Sequence, residues 1–228
     1  MVSTIGFAGI GQTPDDDVVS AICAFLPDRL SVVEAGCLDG MSRSEIDALG
    51  PGAREVGIAT DLKDGTSILL SHKKILPQMQ ACVDALSNEH YADIIVILCG
   101  ADWSSITSPT LLVNPGRVFP SVISALSYGR KLGVMKPSPG QIQKEYARYK
   151  DLGIDVHVTA ASPFSGSARF DLAQHAATEI RDANCDLVWM TCVAMDREMK
   201  EIVANVTGKP VILANELLAK IISATLPA

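Results

Sequence analysis

The chain carries six cysteines, Cys23, Cys37, Cys82, Cys99, Cys185 and Cys192, but no C-x-x-C pair. Its Cys and His residues do not cluster at zinc-ligand spacing either, so no zinc site is expected. No apolar run approaches the ~20 residues that a bilayer-spanning helix needs. The opening stretch MVSTIGFAGIGQ has neither the basic region nor the cleavage site of a signal peptide and reads as a first strand. These absences predict a cytoplasmic chain whose thiols stay reduced. Basic charge is scarce as well. Lys and Arg number 19 against 26 Asp and Glu, a formal net charge of −7. GRKLGVMK (129–136) comes nearest to a basic stripe, and strand-forming residues separate its cations. Neither nucleic acid nor membrane is expected as a partner.

What the chain does have is 228 residues, 48% of them hydrophobic, enough to bury a substantial core. Apolar β-rich runs alternate with helical patterns, as in a mostly parallel α/β fold. The runs predict strands near 3–9, 31–36, 66–70, 93–98, 131–136, 154–160, 186–191 and 210–213. Helices are predicted near 15–25, 43–48, 72–88, 117–129, 140–151, 168–183, 195–206 and 214–225. The strands are apolar on both faces, the pattern of sheets covered by helices on both sides.

Two segments repeat one another. ADIIVILC ends at Cys99 and CDLVWMTC at Cys192, each an apolar strand with an aspartate, Asp93 or Asp186, six residues before its cysteine. The repeat predicts two similar doubly wound α/β domains, residues 1–115 with 210–228 and residues 116–209. SPTLLVNPGRVFP (108–120) reads as the linker between them. Each half then sets one thiol at a carboxyl strand end, where open α/β sheets bind ligands.

Two thiols on opposite faces of one carbon can remove a proton from one face and return one to the other, inverting a stereocentre without a cofactor. Cysteine suits this chemistry because a cation or helix N-terminus lowers its pKa. Cys192 precedes the helical pattern AMDREMKEIVANV and is expected to be the more acidic thiol, with Asp196 and Glu198 partly offsetting the helix. The loop after Cys99, GADWSSITS, offers backbone N–H groups and hydroxyls for a carboxylate. Buried cysteine, however, often only packs. Cys23, Cys37, Cys82 and Cys185 are read that way.

Further candidates lie in turns after strands. GFAGIGQTPDDD sets Gly11, Gln12 and Thr13 after the first strand, as either a substrate-binding turn or a structural one; its third glycine position holds Pro14, so it is a poor dinucleotide fingerprint. KPSPGQ offers Ser138 and Gln141, and ASPFSG offers Ser162. The four histidines form no nucleophile–base arrangement.

GIGQTPDDDVVSAI, EAGCLDGMSRSEID, DLKDGTSILLSHKKILP, VILCGADW and VWMTCVAM together resemble the AroM protein family over nearly the whole chain. That family is related to the aspartate, glutamate and hydantoin racemases. The resemblance implies two pseudo-symmetric doubly wound parallel-sheet domains, an interdomain cleft, and Cys99 and Cys192 as paired acid/base thiols. Amino-acid racemases of this kind carry Asn-Thr after the first cysteine and Thr-His after the second. Here Gly100-Ala101 and Val193-Ala194 stand there instead, and Asp15 replaces the Arg that commonly follows the turn in AroM-like proteins.

The expected function is a cofactor-independent racemase or epimerase acting α to a carboxylate or comparable carbonyl. Cys99 and Cys192 are its bases, and N–H groups around Gly100, Ala101 and Val193 stabilise the enolate. Thr191, Gly11, Gln12, Thr13, Ser138 and Ser162 are the candidate substrate contacts. One alternative is single-thiol chemistry of the maleate isomerase or arylmalonate decarboxylase kind. Another is a ligand-binding protein without turnover. A homodimer is common among such folds.

Overall fold

The computed structural model describes residues 3–27 and 29–226. The chain divides into two compact units, Met1–Val118 with Leu218–Ala228, and Phe119–Leu217.

In the first unit, β1 (Ser3–Gly9) leads through α1 (Asp16–Cys23) to β2 (Leu30–Gly36). After α2 (Arg43–Ala48), an antiparallel hairpin of β3 (Ile58–Asp61) and β4 (Ser67–Leu70) enters α3 (His72–Asn88). Then come β5 (Ile94–Ile97), β6 (Leu111–Val113) and α4 (Pro115–Leu126). The main sheet is parallel throughout, in the order β2-β1-β5-β6. Local chemistry sets the helix starts. Ser42 and Glu45 form a reciprocal capping box at α2, and the Ser71 hydroxyl accepts the Lys74 N–H at α3.

The second unit repeats this plan. It contains β7 (Leu132–Lys136), α5 (Ile142–Asp151), β8 (Val156–Ala160), α6 (Ala168–Asp182), β9 (Leu187–Met190), α7 (Arg197–Thr207), β10 (Val211–Leu213) and α8 (Ala214–Thr225). Its sheet is again parallel, in the order β8-β7-β9-β10, which is the first sheet's order strand for strand. All four residues of β5 and all four of β9 are buried, so both faces of these central strands are covered.

The correspondence extends to single residues. Gly6 pairs with Ile95, and Gly133 pairs with Val188 at the equivalent place. A Cβ on Gly6 would sit 3.1 Å from Leu86 and Ala92, and one on Gly133 only 2.6 Å from Ile180. These glycines let α3 and α6 close onto the sheets. The two aspartates six residues before Cys99 and Cys192 are strand locks. Asp93 donates its N–H to Thr4 O and accepts the Thr4 N–H on Oδ2, both at 2.8 Å. Asp186 makes the same reciprocal pair with Lys131, at 2.8 and 3.0 Å.

Three expectations change. The segment 108–120 is not a plain linker, because its prolines bracket β6 rather than interrupt it, and the chain passes between units within α4 and again within α8. Residues 211–213 pair with β9, so this strand belongs to the second sheet, and only the part of α8 from Leu218 returns to the first unit. The hairpin strand β3 has no clear alternation and went unpredicted. Among the described residues, no helix is long and apolar enough to cross a membrane.

Candidate active site

In both sheets the chain steps outward from its first strand to the second, then crosses back to place the third on the other side. The order reverses between β1 and β5, and between β7 and β9. Such a reversal opens a crevice beyond the carboxyl ends of the strands. Cys99 lies two residues past Ile97 and Cys192 two residues past Met190, beside these crevices. The hydrogen bonds leading to them also correspond. Leu98 N–H donates to Ala8 O at 2.9 Å, and Thr191 N–H to Met135 O at 3.1 Å.

Cys99 is only 7% exposed. Its loop is fixed by Trp103, fully buried, whose Nε1–H donates to Cys99 O at 3.2 Å. The Trp103 ring lies against His72, with centroids 4.7 Å apart. The Asp102 carboxylate takes both the N–H and the hydroxyl of Ser104, which closes the next turn. Gly116, in the first turn of α4, completes the support. A Cβ there would fall 1.9 Å from Ala101 O, so only glycine admits this loop conformation. Gly100 is exposed and Ala101 half-buried.

Cys192 is half-buried and more open than Cys99. Its carbonyl accepts the Met195 N–H at 3.1 Å, closing a four-residue turn from 192 to 195. The helix was expected to follow Cys192 at once, and this is corrected. Asp196, in extended conformation, is the N-cap, and α7 starts only at Arg197. The Asp196 carboxylate accepts the Met199 N–H at 2.7 Å and pairs with Arg169 at 2.7 Å. The positive helix end is therefore compensated by its own cap and stands a full turn of chain from the thiol.

The remaining candidates separate by their partners. Asp39 accepts the Thr13 N–H at 2.7 Å and the Thr13 hydroxyl at 2.5 Å, while Gln12 Oε1 accepts the Lys63 N–H at 3.0 Å. Gly11 is crowded by Thr60, where a Cβ would lie 2.7 Å from Oγ1. The Gly11–Thr13 turn is thus held by internal bonds, as a structural turn would be. Thr191 is buried and its hydroxyl donates to Met135 O at 3.1 Å. Val193 is buried too. Ser138 is half-buried after β7, beside the crevice. Ser162 follows β8, one strand further out, and accepts the Phe164 N–H at 3.2 Å.

The other thiols are held otherwise. Burial pushes the Cys185 thiol up, and burial with the nearby Glu34 charge does so for Cys23. Cys37 and Cys82 share a hydrogen bond that raises Cys37 and lowers Cys82, and burial raises Cys37 further.

Sequence reading missed three residues that shape the loops: Trp103, Gly116 and Asn215. It also passed over Lys136, which ends β7 and pairs with the buried Glu145 at 3.5 Å. Among the described residues, no group of three or more His, Cys, Asp or Glu is arranged to hold a metal ion.

No curated protein matches the chain in sequence. Solved structures do match it in fold. A glutamate racemase from Francisella tularensis subsp. tularensis SCHU S4, in complex with D-glutamate, superposes with a TM-score of 0.62 at 16% identity, over 98% of this chain and 80% of that one. Maleate isomerase Iso from Pseudomonas putida S16 gives 0.59 at 15% identity, over 99% and 94%. An arylmalonate decarboxylase gives 0.58 at 12%, over 98% and 94%. The family model described as AroM protein matches residues 5–226, and the chain belongs to the AroM family.

Proposed function

We propose that the protein is a cofactor-independent isomerase of the racemase or epimerase type, acting on a small carboxylate or related carbonyl compound. One cysteine thiolate takes the proton α to the carbonyl, and the C–H electron pair passes into the enolate. The other thiol delivers its proton to the opposite face, so the two sulfurs exchange protonation states and the configuration inverts. Backbone N–H groups next to the thiols stabilise the enolate oxygens. The observation carrying this reading is that Cys99 and Cys192 hold equivalent places, two residues past the third strand of each sheet. The fold shared with a glutamate racemase is consistent with it.

A screen of α-proton exchange in heavy water over small chiral carboxylates tests the idea. Cys99→Ala and Cys192→Ala are each expected to lower racemisation of the responding substrate by roughly 10²–10⁴-fold. Full racemisation in either variant would remove the two-base mechanism.

The difference in exposure favours one second reading. Cys99 is 7% exposed whereas Cys192 is half-buried, an asymmetry that suits a single working thiol. In that case chemistry of the isomerase or decarboxylase kind would survive Cys99→Ala and disappear in Cys192→Ala.

A further inference from the structure

Asn215, in the first turn of α8, is 3% exposed. Its Nδ2 donates to Val193 O at 3.3 Å and to Met195 O at 3.1 Å, one residue apart on the turn that begins at Cys192. Two carbonyl acceptors fix which end of the amide faces the turn, since only nitrogen can donate to both. Oδ1 is buried and, among the described residues, has no hydrogen-bond partner. A buried amide left half-satisfied costs stability. What the amide does in the fold is carried by its nitrogen, which ties the Cys192 turn to α8.

Peptide planarity gives that role a direction. In a trans peptide the carbonyl and the following N–H point to opposite sides. With Val193 O drawn onto Asn215, the Ala194 N–H is turned away from α8. Ala194 is half-buried, and among the described residues no hydrogen bond uses its N–H. The neighbouring Met195 N–H, by contrast, is closed onto Cys192 O. The turn thus presents the Ala194 N–H on the side away from α8, two residues past the thiol.

We propose that Asn215 is the positioning residue of the Cys192 loop, aiming the Ala194 N–H as a donor for a carboxylate oxygen beside the thiol. The inference rests on the reading that Cys192 meets a carboxylate. The sequence gives no hint of it, because Asn215 is 23 positions from Cys192 and lies in an ordinary helical pattern.

Alkylation of the native protein with iodoacetate and with iodoacetamide tests this, because the two reagents differ in bearing a carboxylate. The readout is the ratio of their rates at Cys192, with Cys99 in the same molecule as the internal reference. Wild-type protein is expected to show a raised iodoacetate preference at Cys192 relative to a cysteine in an unstructured peptide. Asn215→Leu, which cannot donate, should lower that preference by about tenfold, the low end for a hydrogen bond to a charged group. The ratio at Cys99 should stay where it was. A merely structural loss would change both reagents alike and leave the ratio unmoved. Asn215→Gln, which keeps the donors, should restore part of the preference. If Asn215→Leu does not fold, Asn215→Ser serves one of the two carbonyls, and an intermediate ratio is expected. An unchanged ratio in the folded variants overturns the positioning role while leaving the thiol chemistry standing. Failure of Cys192 to react with either reagent in native wild-type protein overturns both.

Discussion

Gly133 leaves no room for a methyl group, since a Cβ would meet Ile180 Cγ2 at 2.6 Å. Ile180 is fully buried and β-branched, so it has little freedom to turn aside. Gly6 holds the same place in the first sheet, but its nearest contacts are 3.1 Å away, to Leu86 and Ala92. Gly133→Ala should therefore cost about 1–3 kcal/mol, the usual range for overpacking a core, and Gly6→Ala less. Chemical denaturation of both variants measures the difference; equal losses would mean that the clearances do not control it. Residue-scale features of this kind were largely hidden in the sequence. The two thiols stood out because strand patterns led up to both. Trp103 and Gly116 did not, because their roles depend on what the folded chain brings against Cys99 O and Ala101 O.

At the scale of the elements, periodicity served well where an element ends at a cap or a charge. The strand ending near Cys99 and the helix from His72 to Asn88 were legible from apolar pattern and from Ser71. The start of α7 was misjudged because Ala194 and Met195 are compatible with helix, while the Asp196 cap decides where it begins. The short strand β6 was overlooked because prolines at 109 and 115 made the segment look like a connector. Asp93 and Asp186 were noticed for their spacing from the thiols, yet they act on the strands. Each joins the start of a third strand to the residue before a first strand enters the core, by a pair of reciprocal hydrogen bonds. Replacing either with alanine frees one backbone N–H and should cost about 1 kcal/mol in urea unfolding. The two losses should be alike. A change confined to one unit would show that the locks are not equivalent.

The whole molecule is two repetitions of one strand order, and that repetition was the most legible feature of all. Two aspartate–strand–cysteine segments announced it, and the parallel sheets carry it through. The final strand was assigned to the wrong half because a lone apolar run contains no instruction about which edge it joins. A prediction at this scale concerns all six thiols together. Cys23, Cys37 and Cys185 have their pKa values raised, so at neutral pH they hold their protons and should label slowly; Cys82 is lowered but buried. Cys192, the more open of the two site thiols, should be modified first, with Cys99 after it and Cys185 only on unfolding. Peptide mapping of a brief alkylation at pH 7 reads the order, and early labelling of Cys185 would contradict it. The supports of the two thiol loops have a consequence for sequence drift among descendants of this chain. One residue separates β6 from α4, none separates β10 from α8, and the helices that start there press Gly116 and Asn215 onto the loops. An inserted codon at either junction would rotate the supporting residue off its loop. Length variation should instead collect between α2 and β3, where the chain is largely exposed.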